Sequence, residues 1–181
     1  MELIRCFICL ELPRESIEIA ENIQNLIKKN NLLSGKYTDP ENLHLTLKFL
    51  GEIDEVKLKI VQERLEKIKF NEFEASLGEV GVFSKRALRI LWIKLFGKSI
   101  WGLQEKIDES LTDLFPKEER FMSHITLARM KKVYDRNIFL NYIKNIKTPE
   151  NKFAVKNFIL KKSELKPEGP IYTDLGRYNL C

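Results

Sequence analysis

One four-residue pattern occurs twice in this 181-residue chain, and its repetition constrains the fold more than any other feature. The two copies, His44-Leu45-Thr46-Leu47 and His124-Ile125-Thr126-Leu127, lie 80 positions apart and contain the only two histidines of the sequence. Self-similarity at a fixed offset is the signature of repeated structural units. We therefore predict that the chain consists of two similar halves.

Hydrophobic periodicity predicts the same order of strands and helices in both halves. The strand-like segments are residues 3–10, 43–50, 73–83, 88–95, 121–129, 153–161 and 171–178. The helix-like segments are residues 16–30, 55–69, 100–114 and 138–146. The polar stretch between the first helix and the second strand is predicted to be a loop.

This order predicts an α+β fold. Two halves that each bury one sheet face under helices leave their other faces free to enclose a groove. We expect residues 1–181 to form a single bilobal domain in which two pseudo-symmetric antiparallel sheets face a central groove, with the helices packed on the outside. Ligands bind preferentially in such grooves.

Side-chain alternation along a strand assigns the first copy of the pattern to two faces. His44, Thr46 and Lys48 are expected on the groove face, with Leu45 and Leu47 in the core.

The second copy follows the same rule, with His124, Thr126 and Ala128 expected in the groove. Arg129 falls on the core side under strict alternation, and it reaches the groove only if the strand ends, twists or bulges there.

Two histidines on one groove suggest acid–base chemistry. Histidine exchanges its proton near neutral pH, so two imidazoles facing one phosphate can act as acid and base in the same displacement. Thr46 and Thr126 can donate to phosphate oxygens, and Lys48 or Arg129 can offset negative charge in the transition state. A lone histidine would more simply be a half-buried sheet residue bonded to a carbonyl, but the duplication favours catalysis.

Charge, apolar runs and cysteine spacing restrict the class of protein and the kind of partner. The formal net charge is +5, which suits a phosphate-bearing ligand but is also common among ordinary soluble proteins. No apolar run approaches a membrane span, so we expect a cytoplasmic protein with no membrane partner.

Cys6 and Cys9 have a C-x-x-C spacing, but on a strand they face opposite sides, so we predict two packed thiols.

Motifs for metals and nucleotides are also missing from the sequence. It contains no H-E-x-x-H motif, no carboxylate or cysteine cluster near either histidine, and no P-loop or K-x-D-G stretch. We therefore predict no catalytic metal, no cofactor and no nucleotide fuel.

The segments His44–Gly51 and Ser123–Arg129 resemble the paired signatures of the RNA 2',3'-cyclic phosphodiesterase family, also called 2'-5' RNA ligases. The resemblance spans nearly the whole chain. It includes Arg5–Ile8 with Leu12-Pro13, Val82-Phe83 with Leu91-Trp92, and Gly169–Tyr172. This family belongs to the two-histidine phosphoesterase superfamily, whose fold is bilobal. Ser123 departs from the pattern, because family members often carry proline there.

The resemblance implies hydrolysis of an RNA 2',3'-cyclic phosphate end to a 2'-phosphate, and in some members reversible 2'-5' joining of RNA halves, tRNA halves among them. It implies that His44 is the acid, that His124 is the base, and that Thr46 and Thr126 hold the phosphate. Arg129, Lys48 and Tyr172 are expected as further substrate contacts, and the chain is expected to be a monomer.

Two other functions are compatible with the same residues. One is an RNA-end binding module without turnover, and the other is a phosphodiesterase for a small cyclic phosphate such as an ADP-ribose derivative. Candidate contacts to an RNA backbone are Lys36, Lys85, Arg86, Arg89, Lys131 and Lys132, and candidate stacking residues are Tyr37, Phe83 and Tyr172.

Overall fold

The computed structural model describes residues 3–181. In chain order, its elements are β1 (Ile4–Glu11), α1 (Arg14–Lys29), β2 (Leu33–Tyr37), a 3-10 turn (Pro40–Asn42), β3 (His44–Ile53), α2 (Glu55–Glu66), β4 (Phe73–Val82), β5 (Ile90–Phe96), α3 (Ile100–Ser110), β6 (His124–Val133), α4 (Arg136–Lys144), β7 (Lys152–Val155), β8 (Asn157–Leu165) and β9 (Pro170–Asn179). The predicted α+β class is confirmed.

The strands form one curled antiparallel sheet in the order β7-β4-β5-β6-β3-β1-β8-β9, with β2 paired to β6. The two predicted sheets are thus two arms of one sheet. The arms are joined where β3 meets β6, through the single pair Leu45↔Ile125. These two residues are equivalents in the 80-residue repeat, and antiparallel pairing of equivalent residues places a local twofold axis at that pair.

Two details of the strand prediction are wrong. The predicted loop after α1 contains β2, whose strand signal is weak because Gly35 separates its two apolar residues, Leu33 and Tyr37. Gly35 of β2 lies so close to β6 that a Cβ atom there would be 2.2 Å from the Arg129 carbonyl oxygen. The predicted strand at 153–161 is β7 and β8, because the chain crosses at Lys156 from β4 in one arm to β1 in the other.

The core lies between the helices and one face of the sheet. Each helix turns an apolar stripe towards it, for example Ile100, Leu103 and Ile107 of α3. A smaller cluster of Phe7, Cys9 and Ile159 lies apart from this core, packed against Tyr172. Both described β1 cysteines are buried and free, as predicted for packed thiols.

A bulge interrupts alternation at equivalent positions of β3 and β6. In the β1–β3 ladder, two consecutive β1 residues pair with Thr46 and Lys48, so Leu47 has no partner. In the β5–β6 ladder, Leu127 likewise has no partner. Two consecutive residues in each strand are therefore buried, and the next side chain is exposed. The bulge brings Arg129 to the groove face, and it brings Phe49 there at the equivalent position of β3.

Because of the same bulge, Lys48 lies in the protein interior and not on the groove face, where it was predicted. Its side chain is only 3% exposed and forms an ion pair with Asp108 of α3. Lys48 also donates to the Pro116 carbonyl at 2.8 Å, and Asp108 accepts from Gln104 and from the Glu118 backbone N–H. Lys48 therefore holds α3 and the following loop against β3 and does not reach the groove.

We predict that Lys48→Met destabilises the fold by about 3–5 kcal/mol, because it leaves the Asp108 carboxylate buried without its cation. The double variant Lys48→Met, Asp108→Leu removes both charges and is expected to recover most of this loss. Urea unfolding measures both effects, and Lys59→Met, at an exposed position of α2, is the matched control. A Lys48→Met protein as stable as the parent would contradict this structural role.

Candidate functional site

A groove of about 640 Å³ lies between the two arms of the sheet. Six of the seven predicted site residues line it: His44, Thr46, His124, Thr126, Arg129 and Tyr172. Lys48 is the exception, for the reason given above. The fold thus brings predicted site residues of β3, β6 and β9 together in this groove.

Both imidazoles are anchored in the same way. The Nδ1 atom of His44 lies 2.8 Å from the Asn42 carbonyl oxygen, and the Nδ1 atom of His124 lies 2.7 Å from that of Met122. Because a carbonyl oxygen only accepts hydrogen bonds, each Nδ1 must carry a proton. Each neutral ring therefore keeps an unprotonated Nε2, which is the atom available for proton transfer.

These anchoring carbonyls were not predicted from the sequence. Asn42 and Met122 are themselves 80 positions apart, so they obey the repeat. A backbone carbonyl exists at every residue whatever its side chain, so the residue types gave no signal for this contact.

The two rings differ in their immediate surroundings. The Nε2 atom of His44 lies 3.0 Å from Thr46 Oγ1, whose hydroxyl can donate to it. Phe7 and Tyr172 flank the same ring, with centroids at 4.8 and 5.4 Å. His124 instead meets Phe83 edge-on, with centroids 4.7 Å apart.

Burial makes both histidines weaker bases than free imidazole. It lowers the pKa of His44 to about 4, and the positive charges of Lys161 and of His124 act in the same direction. Burial also lowers the pKa of His124, and the charge of Lys94 adds to that effect. Both rings are therefore neutral at neutral pH, and protonation of one opposes protonation of the other.

The wall of the groove beyond the histidines is asymmetric. Arg129 supplies a cation on β6, whereas Phe49 supplies an apolar ring at the equivalent position of β3. Burial raises the pKa of Tyr172, and the positive charge of Arg129 partly offsets this rise. The equivalent positions 49 and 129 thus differ in chemistry although they are related by the repeat.

The remaining candidate contacts divide into two groups. Lys36, Tyr37 and Phe83 line the groove, whereas the other basic candidates, Lys85, Arg86, Arg89, Lys131 and Lys132, do not. Lys36 donates to the Glu168 carbonyl in the β8–β9 turn, and Asn42 donates to the Pro170 carbonyl at 3.1 Å. The first bond links the two arms at one end of the groove, and the second ties the 3-10 turn to β9.

Two general features complete the description of residues 3–181. Within them, no group of three or more histidine, cysteine, aspartate or glutamate side chains is arranged to hold a metal ion. Across the same range, none of the helices is both long and apolar enough to span a membrane.

Comparisons with known proteins agree with this geometry. The family model described as LigT like phosphoesterase matches residues 10–92 and 97–172. An RNA 2',3'-cyclic phosphodiesterase of Archaeoglobus fulgidus is 34% identical over 178 residues, covering 95% of this chain and 98% of the relative. Another from Methanocaldococcus jannaschii is 31% identical over 172 residues, covering 93% and 96%.

A solved structure shares the whole fold. The crystal structure of the Thermus thermophilus protein TT0787 superposes with a TM-score of 0.79 at 28% identity, covering 97% of each chain. The resemblance predicted from the two histidine motifs is confirmed. The chain therefore belongs to the LigT-like phosphoesterase family of the two-histidine phosphoesterase superfamily.

Proposed function

We propose that this protein hydrolyses the 2',3'-cyclic phosphate at the end of an RNA to a 2'-phosphate. The observation that carries the proposal is the pair of equivalent imidazoles, each anchored through Nδ1 and each lining the same groove. A single phosphate held between two such rings has a proton acceptor on one side and a proton donor on the other. The curated relatives named RNA 2',3'-cyclic phosphodiesterase supply the substrate class.

In the proposed step, His124 is the base and His44 is the acid. The Nε2 atom of His124 takes a proton from water as the water oxygen bonds to phosphorus. The bond between phosphorus and O3' breaks, and O3' takes a proton from Nε2 of His44. The product keeps its phosphate on O2', and proton exchange with solvent restores both rings.

This step requires His44 to be protonated, although its pKa in the free protein is about 4. An anionic phosphate in the groove favours the imidazolium form, so substrate binding raises the pKa values of both rings. The proton needed for the acid step is therefore stabilised mainly when the substrate is bound.

Three further side chains are proposed to hold the phosphate. Thr46 and Thr126 donate hydroxyl hydrogen bonds to non-bridging oxygens, and the Thr46 hydroxyl leaves His44 Nε2 to do so. Arg129 offsets the charge that grows on the pentacovalent phosphorus. Tyr172, which meets the edge of His44, is proposed to contact the terminal nucleoside.

The proposal includes no metal and no nucleotide cofactor, because the acid, the base and the cation are all supplied by side chains of the groove. Joining of RNA ends is proposed as a second use of the same residues. A 5'-hydroxyl replaces water, attacks the cyclic phosphate and forms a 2'-5' bond as the bond to O3' breaks. The ring bond is exchanged for the new ester, so ATP is not needed.

We further propose that the protein acts as a monomer in the cytoplasm, with tRNA halves among its substrates. These assignments rest on the family resemblance and on the proposed chemistry alone. The substrate range is measured with cyclic-phosphate-ended RNAs and with nucleoside 2',3'-cyclic phosphates. Turnover of the small compounds alone would favour a small cyclic phosphate as substrate, and tight binding of RNA without turnover would favour an RNA-end binding module.

We predict that His44→Ala and His124→Ala each lower kcat by roughly 10²–10⁴, the usual effect of removing one acid or base. Single-turnover hydrolysis of a cyclic-phosphate-ended RNA, in EDTA and without ATP, measures the loss. Near-parental kcat in either variant would refute the acid–base assignment.

The lowered pKa values of both histidines predict a particular pH dependence. Since burial lowers both values below the ordinary 6.5, the maximum of kcat/KM is expected on the acid side of that pH. The maximum of kcat is expected at higher pH, because bound phosphate raises both pKa values. Rate profiles for both parameters give the comparison, and coincident maxima at alkaline pH would contradict it.

Arg129→Met is predicted to lower kcat/KM by about 10- to 100-fold, because it removes a charge-assisted hydrogen bond to the phosphate. Lys131→Met is the matched control, since it removes the same charge two positions along β6 from a side chain that does not line the groove. Steady-state kinetics compare the two variants. Equal losses in both would show that general positive charge, and not contact by Arg129, is responsible.

A further inference from the structure

Beside each histidine, the neighbouring strand carries a charged residue at the equivalent cross-strand position. Glu11 of β1 pairs with His44, and Lys94 of β5 pairs with His124. Directly opposed residues of an antiparallel pair share a sheet face. We call the surfaces around these two residues the Glu11 flank and the Lys94 flank. The residues that define them have opposite charges.

The Glu11 flank is electrically balanced. Glu11 contacts Lys161 at 2.6 Å and Arg177 at 3.0 Å. Both of these cations also contact Asp174, at 2.6 and 3.1 Å. These two carboxylates and two cations neutralise one another, so the four side chains present no net positive charge to a polyanion.

The Lys94 flank is different. Within residues 3–181, Lys94 forms no ion pair, and its Nζ lies 5.5 Å from the centre of the Trp101 ring. Glu105, one turn further along α3, is instead 4.0 Å from Lys117. Lys94 is the cross-strand partner of His124, and its positive charge adds to the burial that lowers the pKa of that ring.

Trp101 adds an aromatic surface to the same flank. It is 42% exposed, whereas its neighbours on α3, Ile100 and Leu103, are completely buried and supply the packing of that helix. Phe121 meets Trp101 edge-on, with ring centroids 6.0 Å apart. Phe121 directly precedes Met122, the residue whose carbonyl anchors His124, so this surface adjoins the catalytic centre.

We propose that Lys94, Trp101 and Phe121 form a binding site for the RNA strand on the 5' side of the terminal nucleotide. The base of the penultimate nucleotide stacks on Trp101, which Phe121 supports, and Lys94 pairs with the phosphate that joins this nucleotide to the last one. Proteins bind single-stranded RNA through such pairs of stacking rings and backbone cations. This inference rests on the proposed function and extends it from the terminal phosphate to the strand.

The test compares two substrates that differ only in the predicted contact. One is a nucleoside 2',3'-cyclic phosphate, and the other is a dinucleotide with the same cyclic end. Trp101→Ala is expected to raise KM for the dinucleotide by about 5- to 100-fold, the range for losing one stacked base, and to leave KM for the mononucleotide unchanged. Trp101→Tyr keeps a stacking ring and should restore most of the affinity.

Lys94→Gln is tested through salt dependence. Removal of one phosphate contact should reduce the slope of log affinity against log salt by about 0.7 for the dinucleotide. The mononucleotide slope should change less, because its only phosphate lies between the histidines and does not pair directly with Lys94. Tyr134→Ala, at another half-exposed ring, and Lys59→Gln, at an exposed lysine of α2, are the matched controls.

Direct binding separates this inference from the proposed function. Fluorescence anisotropy with a short labelled RNA that ends in a 2'-phosphate compares the same variants without any turnover. If the parent protein binds this RNA but hydrolyses no cyclic phosphate, the proposed function fails while the strand site is still tested. If Trp101→Ala and Lys94→Gln match the parent on both substrates and in RNA binding, the strand site is refuted.

Discussion

The pairing of Leu45 with Ile125 is the contact on which the rest of the site depends. It joins equivalent residues of the two motifs, and it is the one ladder position at which β3 and β6 meet within residues 3–181. Each histidine is the residue immediately before this pair, so a single contact fixes both imidazoles relative to each other. Both partners are completely buried, which makes the junction of the arms part of the core. The catalytic geometry is thus set by the same packing that holds the two halves together.

The repeat allowed the fold class, most helices and strands, and the two His-Thr pairs of the groove to be predicted from sequence. The errors arise where the structure depends on more than regular alternation and periodicity. A bulge after Thr46 sends Lys48 into the core, and its equivalent in β6 sends Arg129 into the groove. The strand β2 is specified by its pairing with β6 and not by its own apolar pattern. Partners distant in sequence, such as Asp108 for Lys48, leave no local signal.

The symmetric frame carries asymmetric chemistry. Equivalent positions hold Phe49 and Arg129 beyond the histidines, and Glu11 and Lys94 beside them. The two imidazoles have equivalent carbonyl anchors, but they meet different aromatic rings. A symmetric pair of rings supplies the proton transfers that a displacement at phosphorus requires, whereas these differences make the two sides of the groove chemically distinct. The two directions along an RNA strand are chemically different. A groove whose two sides also differ can bind the strand end in one orientation.

The central claim is that both imidazoles carry their proton on Nδ1 and present Nε2 to one phosphate. Heteronuclear NMR of the imidazole nitrogens tests it directly, because the chain has only two histidines and each can be assigned with one variant. The account predicts that both rings are neutral Nδ1–H tautomers at neutral pH, and that the Nε2 signals of both shift over the same concentration range of an added nucleoside 2'-phosphate. A proton on Nε2 of either neutral ring, or a response from only one histidine, would contradict it.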